Sequence, residues 1–364
     1  MTTSSGPSIG SSTRRASVVG LGLIGGSIGL ALRERGWQVS GSDHEPDRVT
    51  DALRLGVIDV EGLDPDSVIT FVAVPVLAVA DAVRTALRAT SGLVTDVGSV
   101  KAPVVKAVNN SRFVGGHPMA GSEQEGLAGA SAEMFEGAVW VLTPTEDADD
   151  QALATVRSVV SSFGADVVAL APDRHDALVA VVSHVPHLTA VTLMGLAAAR
   201  AEEHAALLRL AAGGFRDMTR IASGHPAIWP DICSENRVAI VETLDGLIGG
   251  LQRMRDAVDT SDRDMLLTSL IEARAARQNL PARGAARSEH ATEMRIPVPD
   301  RVGVLAEITT LAAELGVDLF DIEIAHSAEG TRGVLIVVVE SERAERFREA
   351  LLDEGFRPSM QPLR

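Results

Sequence analysis

The sequence predicts an α/β fold in its first part, an all-helical region in the middle and a small βαββαβ module at the end. Three observations support this division. Apolar β-branched runs alternate with helical segments up to about residue 170, strand signals then disappear, and strands return from residue 291. Alternating strands and helices are typical of a Rossmann-type, mostly parallel sheet with crossover helices. We expect domains at 14–170, 171–283 and 291–364, with a linker at 284–290.

Charge and cysteine content exclude several classes of protein. The chain has 364 residues, of which 46% are hydrophobic, and its formal net charge is −16. An acidic chain gains nothing from releasing the counterions of a nucleic acid, so we expect no nucleic-acid partner. The single cysteine, Cys233, rules out disulfides within the chain and a zinc site built from several thiolates. We expect no bound metal.

The ends and the apolar runs bear on location. No uninterrupted apolar run reaches the roughly 20 residues that a membrane helix needs. Residues 1–13 are rich in Ser, Thr and Gly and lack the apolar core of a signal peptide. We therefore expect a disordered tail at 1–13, no association with a membrane, and a cytoplasmic protein.

Seven apolar runs in the first domain are expected to form strands. Gly36 stands where a glycine ends a helix, which separates the first helix from the second strand. The predicted strands are 16–20, 37–43, 68–74, 92–95, 112–115, 138–142 and 166–170.

A glycine-rich turn follows the first predicted strand. Its sequence, Gly20-Leu21-Gly22-Leu23-Ile24-Gly25, has the G-x-G-x-x-G spacing that places a pyrophosphate on the N-terminus of the next helix. Asp43 ends the second strand, where a carboxylate accepts hydrogen bonds from the ribose of NAD. His44 and Arg48 leave NADP open, and a plain turn beside a solvated aspartate is the alternative. The predicted NAD-binding residues are Gly20, Gly22, Leu23, Ile24, Gly25, Asp43, Val74 and Pro75.

Two loops at the carboxyl ends of later strands carry polar residues. Ligands bind at these ends in open α/β sheets. Residues 95–101 include Ser99, and residues 115–123 include His117 and Glu123. A neutral imidazole can take a hydroxyl proton as hydride leaves the same carbon. We expect His117 to be the base and Ser99 to bond either the imidazole or the substrate hydroxyl, while the alternative for His117 is a packed turn histidine.

The period of the apolar residues changes twice after the first domain. Residues 173–280 show helical spacing, as in Leu244, Leu247 and Leu251, and predict several long helices. Their wide apolar stripes suit a shared dimer core or a packed monomeric bundle. In the last module we expect strands at 292–298, 317–326, 331–339 and 356–361 and helices at 302–315 and 341–354, which is the ferredoxin-like order.

Several motifs occur together in a fixed order. They are Gly98-Ser99-Val100-Lys101, residues 115–123 (Gly-Gly-His-Pro-Met-Ala-Gly-Ser-Glu), residues 183–187 (Ser-His-Val-Pro-His), residues 213–222 and residues 231–236. Together they resemble prephenate dehydrogenases over residues 16 to about 280. The resemblance implies NAD-dependent oxidation of prephenate to 4-hydroxyphenylpyruvate with loss of CO2, a step toward tyrosine. It also implies that the helical domain forms a homodimer.

The resemblance implies roles for individual residues. His117 is similar to the family's catalytic histidine, and Ser99 to the serine that orients it. Arg220 is similar to the arginine that binds a substrate carboxylate, which suits a planar guanidinium. His184 and His187 have the spacing of a metal-ligand pair, but no further ligand accompanies them. The other predicted substrate residues are His187, His184, Ser183, Gly213 and Trp229, with Glu123 and Asp217 in an ionic network.

Residues 291–364 resemble an ACT domain, a regulatory module of amino-acid enzymes, most clearly at residues 296–305. The resemblance implies an effector site at the first strand–helix turn, with tyrosine or phenylalanine as the effector. The family pattern often has Asn where this chain has Val317-Asp318-Leu319, and a purely structural or dimerising module is the alternative. The predicted effector-binding residues are Asp300, Arg301, Gly303, Val304, Asp318 and Leu319.

Three other functions compete with this interpretation. An arogenate (cyclohexadienyl) dehydrogenase, using NAD or NADP, acts on the same ring, so ring-directed residues do not discriminate it. A β-hydroxyacid dehydrogenase uses a lysine after its first domain, whereas the only lysines here are Lys101 and Lys106. A non-catalytic amino-acid sensor would have lost its active site, yet every expected catalytic position is filled.

Overall fold

The structure, a computed structural model, describes residues 14–121, 124, 126–144, 149–201, 207–278, 291–299, 301–326 and 332–362. The predicted tail and linker lie outside these residues, as do Glu123 and Asp300. The chain divides into two compact units. The first ends at His184 and also includes Gly224–Val241, and the second consists of Val185–Ser223 and the chain from Glu242 onward. The predicted domain boundary at residues 170/171 stays a prediction.

Alternating strands and helices build the sheet of the first unit. In chain order they are β1 (Arg15–Val19), α1 (Leu23–Glu34), β2 (Gln38–Ser42), α2 (Pro46–Arg54), β3 (Val60–Glu61), β4 (Ile69–Val72), α3 (Val79–Ala89), β5 (Leu93–Asp96), α4 (Ala102–Val108), β6 (Phe113–Pro118), β7 (Val139–Thr143), α5 (Asp150–Ser162) and β8 (Asp166–Ala169).

These strands form one sheet in the order β3-β2-β1-β4-β5-β6-β7-β8. All neighbouring strands are parallel except β6 and β7, which are antiparallel. The strand order reverses between β1 and β4, so a crevice forms outside their carboxyl ends, as in Rossmann-type folds. Buried side chains such as Leu32, Phe71 and Trp140 pack one face of the sheet, and Val83 and Val104 pack against the other. The predicted Rossmann-type fold class is confirmed.

The end of the sixth strand differs from the prediction. The expectation that a loop begins at residue 115 is wrong, because β6 continues to Pro118 and pairs with β7 through residues 115–118. The glycines that suggest a turn are instead required by close packing. A Cβ on Gly116 would lie 2.6 Å from the backbone oxygen of Asp96. His117 is therefore held on a strand of the sheet.

Helices follow β8 almost without interruption. They are α6 (Pro172–Val179), a π-helical segment (Ala180–His184), α7 (Val185–Ala201), α8 (Gly213–Thr219), α9 (Trp229–Glu235), α10 (Arg237–Asp259) and α11 (Arg263–Gln278), with short 3-10 turns at Leu207–Leu210, Arg220–Ser223 and Pro226–Ile228. The predicted all-helical region is confirmed.

One helical stretch, Pro172–Ala201, is long and apolar enough to cross a membrane by length and composition. One such stretch is weak evidence for a membrane-spanning helix, because the core helix of a soluble protein can have the same length and hydropathy. Buried ionisable side chains interrupt it at His175, Asp176, His184 and His187. Ionisable groups are costly in lipid, so their positions argue against a spanning helix.

The last part of the chain forms a four-stranded antiparallel sheet, which has the ferredoxin-like arrangement. Its strands lie in the order β10 (Leu319–His326), β11 (Arg332–Glu340), β9 (Ala291–Pro299) and β12 (Ser359–Pro362). Met294, Ile308, Leu335, Phe347 and Leu351 are fully or almost fully buried in its core. Helix α12 (Val304–Glu314) connects β9 to β10, and helix α13 (Ser341–Asp353) connects β11 to β12.

Candidate active site

The turn between β1 and α1 is shaped to hold an anion. Gly20 has a φ of +89°, and a Cβ there would lie 2.2 Å from the backbone oxygen of Ala73, so only glycine fits. Helix α1 begins at Leu23 with no side-chain cap and no acidic residue in its first turn. Unsatisfied N–H groups at a helix N-terminus attract phosphate. Leu23, Ile24 and Gly25 lie in this first turn.

Asp43 connects the end of β2 to the glycine turn. Its side chain is only 2% exposed, and its Oδ2 accepts a hydrogen bond of 2.7 Å from the backbone N–H of Leu21. His44 Nδ1 lies 3.0 Å from Oδ1 of Asp43, whereas Arg48 is at the 4.0 Å limit of an ion pair. The carboxylate thus stands beside the phosphate-binding turn, where the ribose of a dinucleotide lies.

The loop after β4 completes the same crevice. The Cγ1 atom of Val74 would lie 3.1 Å from a Cβ placed on Gly20, so Val74 covers the turn. Pro75 precedes the 3-10 turn Val76–Ala78. The glycine turn, the aspartate and this loop are therefore brought together and fit NAD. The assignment of each residue to NAD stays a prediction.

The imidazole of His117 is 9% exposed and belongs to a hydrogen-bonded series of side chains. Its Nδ1 lies 2.8 Å from Nε2 of His175. The Nδ1 atom of His175 lies 2.7 Å from Oδ1 of Asp176. Both residues are on α6, and the sequence analysis did not select either of them. The only signal in the sequence is a His-Asp pair just after Pro172, which periodicity cannot distinguish from an ordinary helix residue pair.

A second group of buried residues forms hydrogen bonds with the Asp176 end of this series and with β6. The carboxylate of Asp176 accepts backbone N–H groups from Lys101 and Ala102, both at 2.8 Å. The side chains of Lys101 and Asp96 are fully buried and form an ion pair. Asp96 also accepts the backbone N–H of Gly116 at 3.2 Å. The loop after β5 is thereby fixed to α6 and to β6.

Burial and nearby positive charge control the ionisation of His117. Burial lowers the pKa of His117 well below its ordinary value, and charges on His175, Lys101 and His184 lower it further. Burial also lowers the pKa of Lys101, which the carboxylate of Asp96 partly offsets. At neutral pH His117 is therefore a neutral imidazole that can accept a proton.

Ser99 is half-buried in the loop after β5. Within the residues that the structure describes, the Nδ1 partner of His117 is His175 and no hydrogen bond joins His117 to Ser99. The role of Ser99 as a contact of the substrate hydroxyl stays a prediction.

His184 lies at the end of the π-helical segment and is 1% exposed. Its Nδ1 lies 3.2 Å from Nδ2 of Asn236, which also donates to the backbone oxygen of Asp176 at 2.9 Å. Burial lowers the pKa of His184 to about 4. The ring of Trp229 meets it edge-on, with centroids 6.2 Å apart. The structure thus brings two predicted substrate residues together and adds Asn236, while Ser183 beside them is half-buried.

The other predicted substrate residues belong to the second unit. His187 on α7 is 6% exposed; burial lowers its pKa, and a backbone hydrogen bond with Ile221 partly offsets that effect. This bond places His187 beside the 3-10 turn that begins with Arg220. Arg220, Asp217 and Gly213 are exposed. Across the described ranges no cluster of three or more His, Cys, Asp or Glu side chains could hold a metal.

The predicted effector positions lie around the first turn of the C-terminal sheet. Gly303 has a φ of +93° and caps α12. Arg301 is exposed and bonds Glu307 through both ends of its guanidinium, at 2.8 Å for the Nη1 contact. Val304 is buried in the core, so only its backbone is available to a ligand. Leu319 begins β10, and Asp318 precedes it.

The first unit joins a dinucleotide-binding crevice to a buried, neutral histidine on the same sheet. A base that accepts a hydroxyl proton beside a hydride acceptor is the machinery of an alcohol-oxidising enzyme. Fold and site therefore define the class of nicotinamide-nucleotide-dependent dehydrogenases.

Comparison with known proteins specifies the family. The family model of the prephenate dehydrogenase nucleotide-binding domain matches residues 28–169, and that of the prephenate dehydrogenase dimerization domain matches residues 171–272. The chain belongs to the prephenate dehydrogenase family, and it is an NAD-dependent oxidoreductase.

Individual relatives agree with this assignment. The prephenate dehydrogenase of Bacillus subtilis is 35% identical over 355 residues, which cover 92% of this chain and 95% of that protein. The cyclohexadienyl dehydrogenase of Zymomonas mobilis is 32% identical, covering 72% of this chain and 95% of that protein. The crystal structure of the A. aeolicus prephenate dehydrogenase in complex with hydroxyphenyl propionate and NAD+ has a TM-score of 0.69 and 30% identity. It covers 74% of this chain and 98% of that one.

Proposed function

We propose that the chain catalyses the NAD-dependent oxidative decarboxylation of prephenate to 4-hydroxyphenylpyruvate. The observation that carries the proposal is the imidazole of His117, which is buried and neutral at the end of β6. It belongs to the same unit as the dinucleotide-binding turn. Family membership supports the substrate, because the relatives named above act on prephenate or a related cyclohexadienyl compound.

The residues of the chain have few steps to perform. NAD held by the glycine turn and Asp43 would supply the acceptor for the hydride of the ring carbon that carries the hydroxyl group. His117 takes the hydroxyl proton at Nε2, the ring nitrogen opposite its contact with His175. Loss of CO2 then makes the ring aromatic, which supplies the driving force. The chain therefore mainly positions the substrate and holds one proton.

We further propose that the carboxylates of the substrate are bound by the helical region. Arg220 would bind one carboxylate in bidentate fashion, as guanidinium groups do. His187, Gly213 and Asp217 are assigned to the same pocket, together with Ser183, His184, Trp229 and Glu123. The resemblance to the family supports these roles residue by residue.

Formation of NADH from prephenate tests the proposed function. Purified protein is assayed with prephenate and with arogenate, each with NAD and with NADP. We expect the highest kcat/KM for prephenate with NAD. Absence of NADH formation from prephenate would reject the proposal. Preference for arogenate would favour the second candidate, an arogenate (cyclohexadienyl) dehydrogenase, which the similarity to the Zymomonas mobilis protein supports.

We propose a homodimer formed through the helical region in the cytoplasm. On α10 and α11, large apolar side chains such as Leu251 and Leu270 are 58% and 61% exposed. Burying such surface against a second copy would remove it from water. Sedimentation equilibrium should give twice the monomer mass of 38.2 kDa, and a monomer would contradict this proposal.

We propose that the C-terminal module is an ACT domain that lets tyrosine or phenylalanine inhibit the enzyme. Gly303→Ala tests this, because a side chain at its φ of +93° costs about 1–2 kcal/mol and distorts the first turn. We expect a weaker inhibition by tyrosine with little change in uninhibited kcat, measured as initial rates against tyrosine concentration.

Gly355→Ala is the matched control, because Gly355 has a φ of +88° in the same module and a Cβ there would also meet nothing within 4 Å. Its response to tyrosine should equal that of the wild type. Equal inhibition of all three proteins would remove the effector role from this turn, and no inhibition of the wild type would remove it from the module.

A further inference from the structure

Two residues on α6, His175 and Asp176, lie on the Nδ1 side of His117, the proposed catalytic histidine. His175 is fully buried and Asp176 is 5% exposed. They form the series His117 Nδ1 to His175 Nε2, 2.8 Å, and His175 Nδ1 to Asp176 Oδ1, 2.7 Å. Buried polar residues in such a series have a fixed hydrogen-bonding direction. That direction decides what His117 can do.

Asp176 sets the direction. Backbone N–H groups of Lys101 and Ala102 donate to its two carboxylate oxygens. A carboxylate that receives these bonds acts as an acceptor toward His175 as well, so the proton of His175 lies on Nδ1. The Nε2 atom of His175 then carries a lone pair, which accepts a hydrogen bond from the Nδ1–H of His117. This leaves Nε2 of His117 without a proton, in the tautomer that a base requires.

The charge on His117 poses a second problem. Its pKa is held down first by burial, and then by the electrostatic effects of His175, Lys101 and His184. The ionisable groups that face it are His175 from α6, Lys101 from the loop after β5 and His184 from the π-helical segment, with Asp176 and Asp96 behind them. An imidazolium at position 117 would therefore be unstable beside Lys101. At position 175 the same charge would stand directly against the carboxylate of Asp176.

We propose that His175 and Asp176 are positioning residues that fix the tautomer of His117 and receive its positive charge during the reaction. The inference rests on the proposed function and goes beyond it, since it assigns roles to two residues outside the substrate pocket. The charge moves toward the carboxylate of Asp176 without any movement of the rings.

Protons and bonds balance in this scheme. The O–H bond of the substrate breaks and an Nε2–H bond forms on His117, while its Nδ1–H bond breaks and an Nε2–H bond forms on His175. Asp176 stays ionised and pairs with the new imidazolium. When CO2 leaves, the electrons of its bond flow through the ring to the oxygen, which takes the proton back as the two transfers reverse. No proton is released, so the series stores the proton during turnover.

His175→Gln tests the inference, because a glutamine can accept from His117 and donate to Asp176 but cannot pass a proton on. We expect kcat with prephenate to fall by about 10²-fold, with the KM for NAD unchanged. In mixtures of H2O and D2O, a plot of the wild-type rate against the deuterium fraction should be curved, because two protons move in the same step. In the variant the dependence should be linear.

A merely structural role would lower kcat and leave that dependence as it is in the wild type, which would overturn the inference. A linear dependence in the wild type, or a variant kcat within threefold of the wild type, would also overturn it. His326→Gln, on β10 of the C-terminal sheet, is the matched control and should keep wild-type kinetics. Asp176→Asn should lower kcat by a similar factor. If this variant fails to fold, His175→Gln still tests the inference by itself.

Histidine nitrogen NMR of the substrate-free protein separates this inference from the proposed function. The nitrogen shifts should show a proton on Nδ1 of His117 and none on its Nε2, with the assignment made by loss of the signals in His117→Asn. In His175→Gln the same His117 tautomer should persist, because the glutamine oxygen accepts the Nδ1–H of His117 as Nε2 of His175 does. A proton on Nε2 of His117 in the wild type would overturn the inference even if prephenate is the substrate. The expected tautomer without turnover of prephenate would instead reject only the proposed function.

Discussion

Replacing His117 with asparagine is expected to lower kcat with prephenate by about 10³–10⁴-fold. The imidazole is the proposed proton acceptor, and a general base contributes up to about 10⁴-fold to a rate. Asparagine has no basic nitrogen but retains polarity in a buried position. The dinucleotide crevice is built from β1, β2 and β4, so the Kd for NAD should change by less than about threefold. Steady-state kinetics and calorimetric titration with NAD measure the two quantities.

The pH profile of the wild type provides a linked result. The pKa of His117 is lowered, so its basic form is complete at neutral pH and is lost only as the pH falls through that lowered value. The acid limb of kcat/KM for prephenate should therefore lie below the ordinary histidine pKa of about 6.5. His326→Asn is the control for His117→Asn and should keep the wild-type kcat and pH profile. Near-normal kcat in His117→Asn would refute the assignment of the base.

Replacing Arg220 with glutamine is expected to raise the KM for prephenate by about 10- to 100-fold. A hydrogen bond with a charged partner contributes about 1.5–3 kcal/mol, and each 1.4 kcal/mol is about a tenfold change in binding. Glutamine keeps one donor but loses the charge and the two-pronged geometry of guanidinium. The KM for NAD should stay within about threefold, since Arg220 lies outside the dinucleotide turn. Initial rates with each substrate varied in turn measure both constants.

Arg263→Gln is the matched control, because Arg263 is an exposed arginine at the start of α11. It removes the same charge from the helical region and should leave both KM values unchanged. Equal increases in the two KM values in Arg220→Gln would contradict a carboxylate-binding role. An unchanged KM for prephenate would remove Arg220 from the substrate site.

The parts of the fold and site that depend on short stretches of chain were accessible from sequence. The glycine turn, α1 and Asp43 lie within one strand–helix–strand unit, and residue type reports their backbone needs directly. Gly20 is an example, since its positive φ and its contact with Ala73 leave no room for a side chain. The ferredoxin-like order of the last module follows in the same way from alternating apolar residues.

In one place the local sequence led to a wrong prediction of where a strand ends. Gly115 and Gly116 look like the start of a loop, yet they continue β6 because β7 returns antiparallel against them. Whether a glycine marks a turn or a close contact between strands depends on a partner far along the chain. The position of His117 on a strand therefore required the tertiary structure.

The sequence by itself determined the class of enzyme and the cofactor crevice, and it predicted the base, because each is encoded in local spacing or in motifs that occur in a fixed order. Only the tertiary structure decided how that base is held. His117 meets a residue 58 positions away, and Asp176 meets a backbone N–H 75 positions away. Neither periodicity nor composition encodes such hydrogen bonds, since they arise when separate strands and helices pack and exclude water. The same packing lowers the pKa of His117, so its basicity is a property of the folded chain.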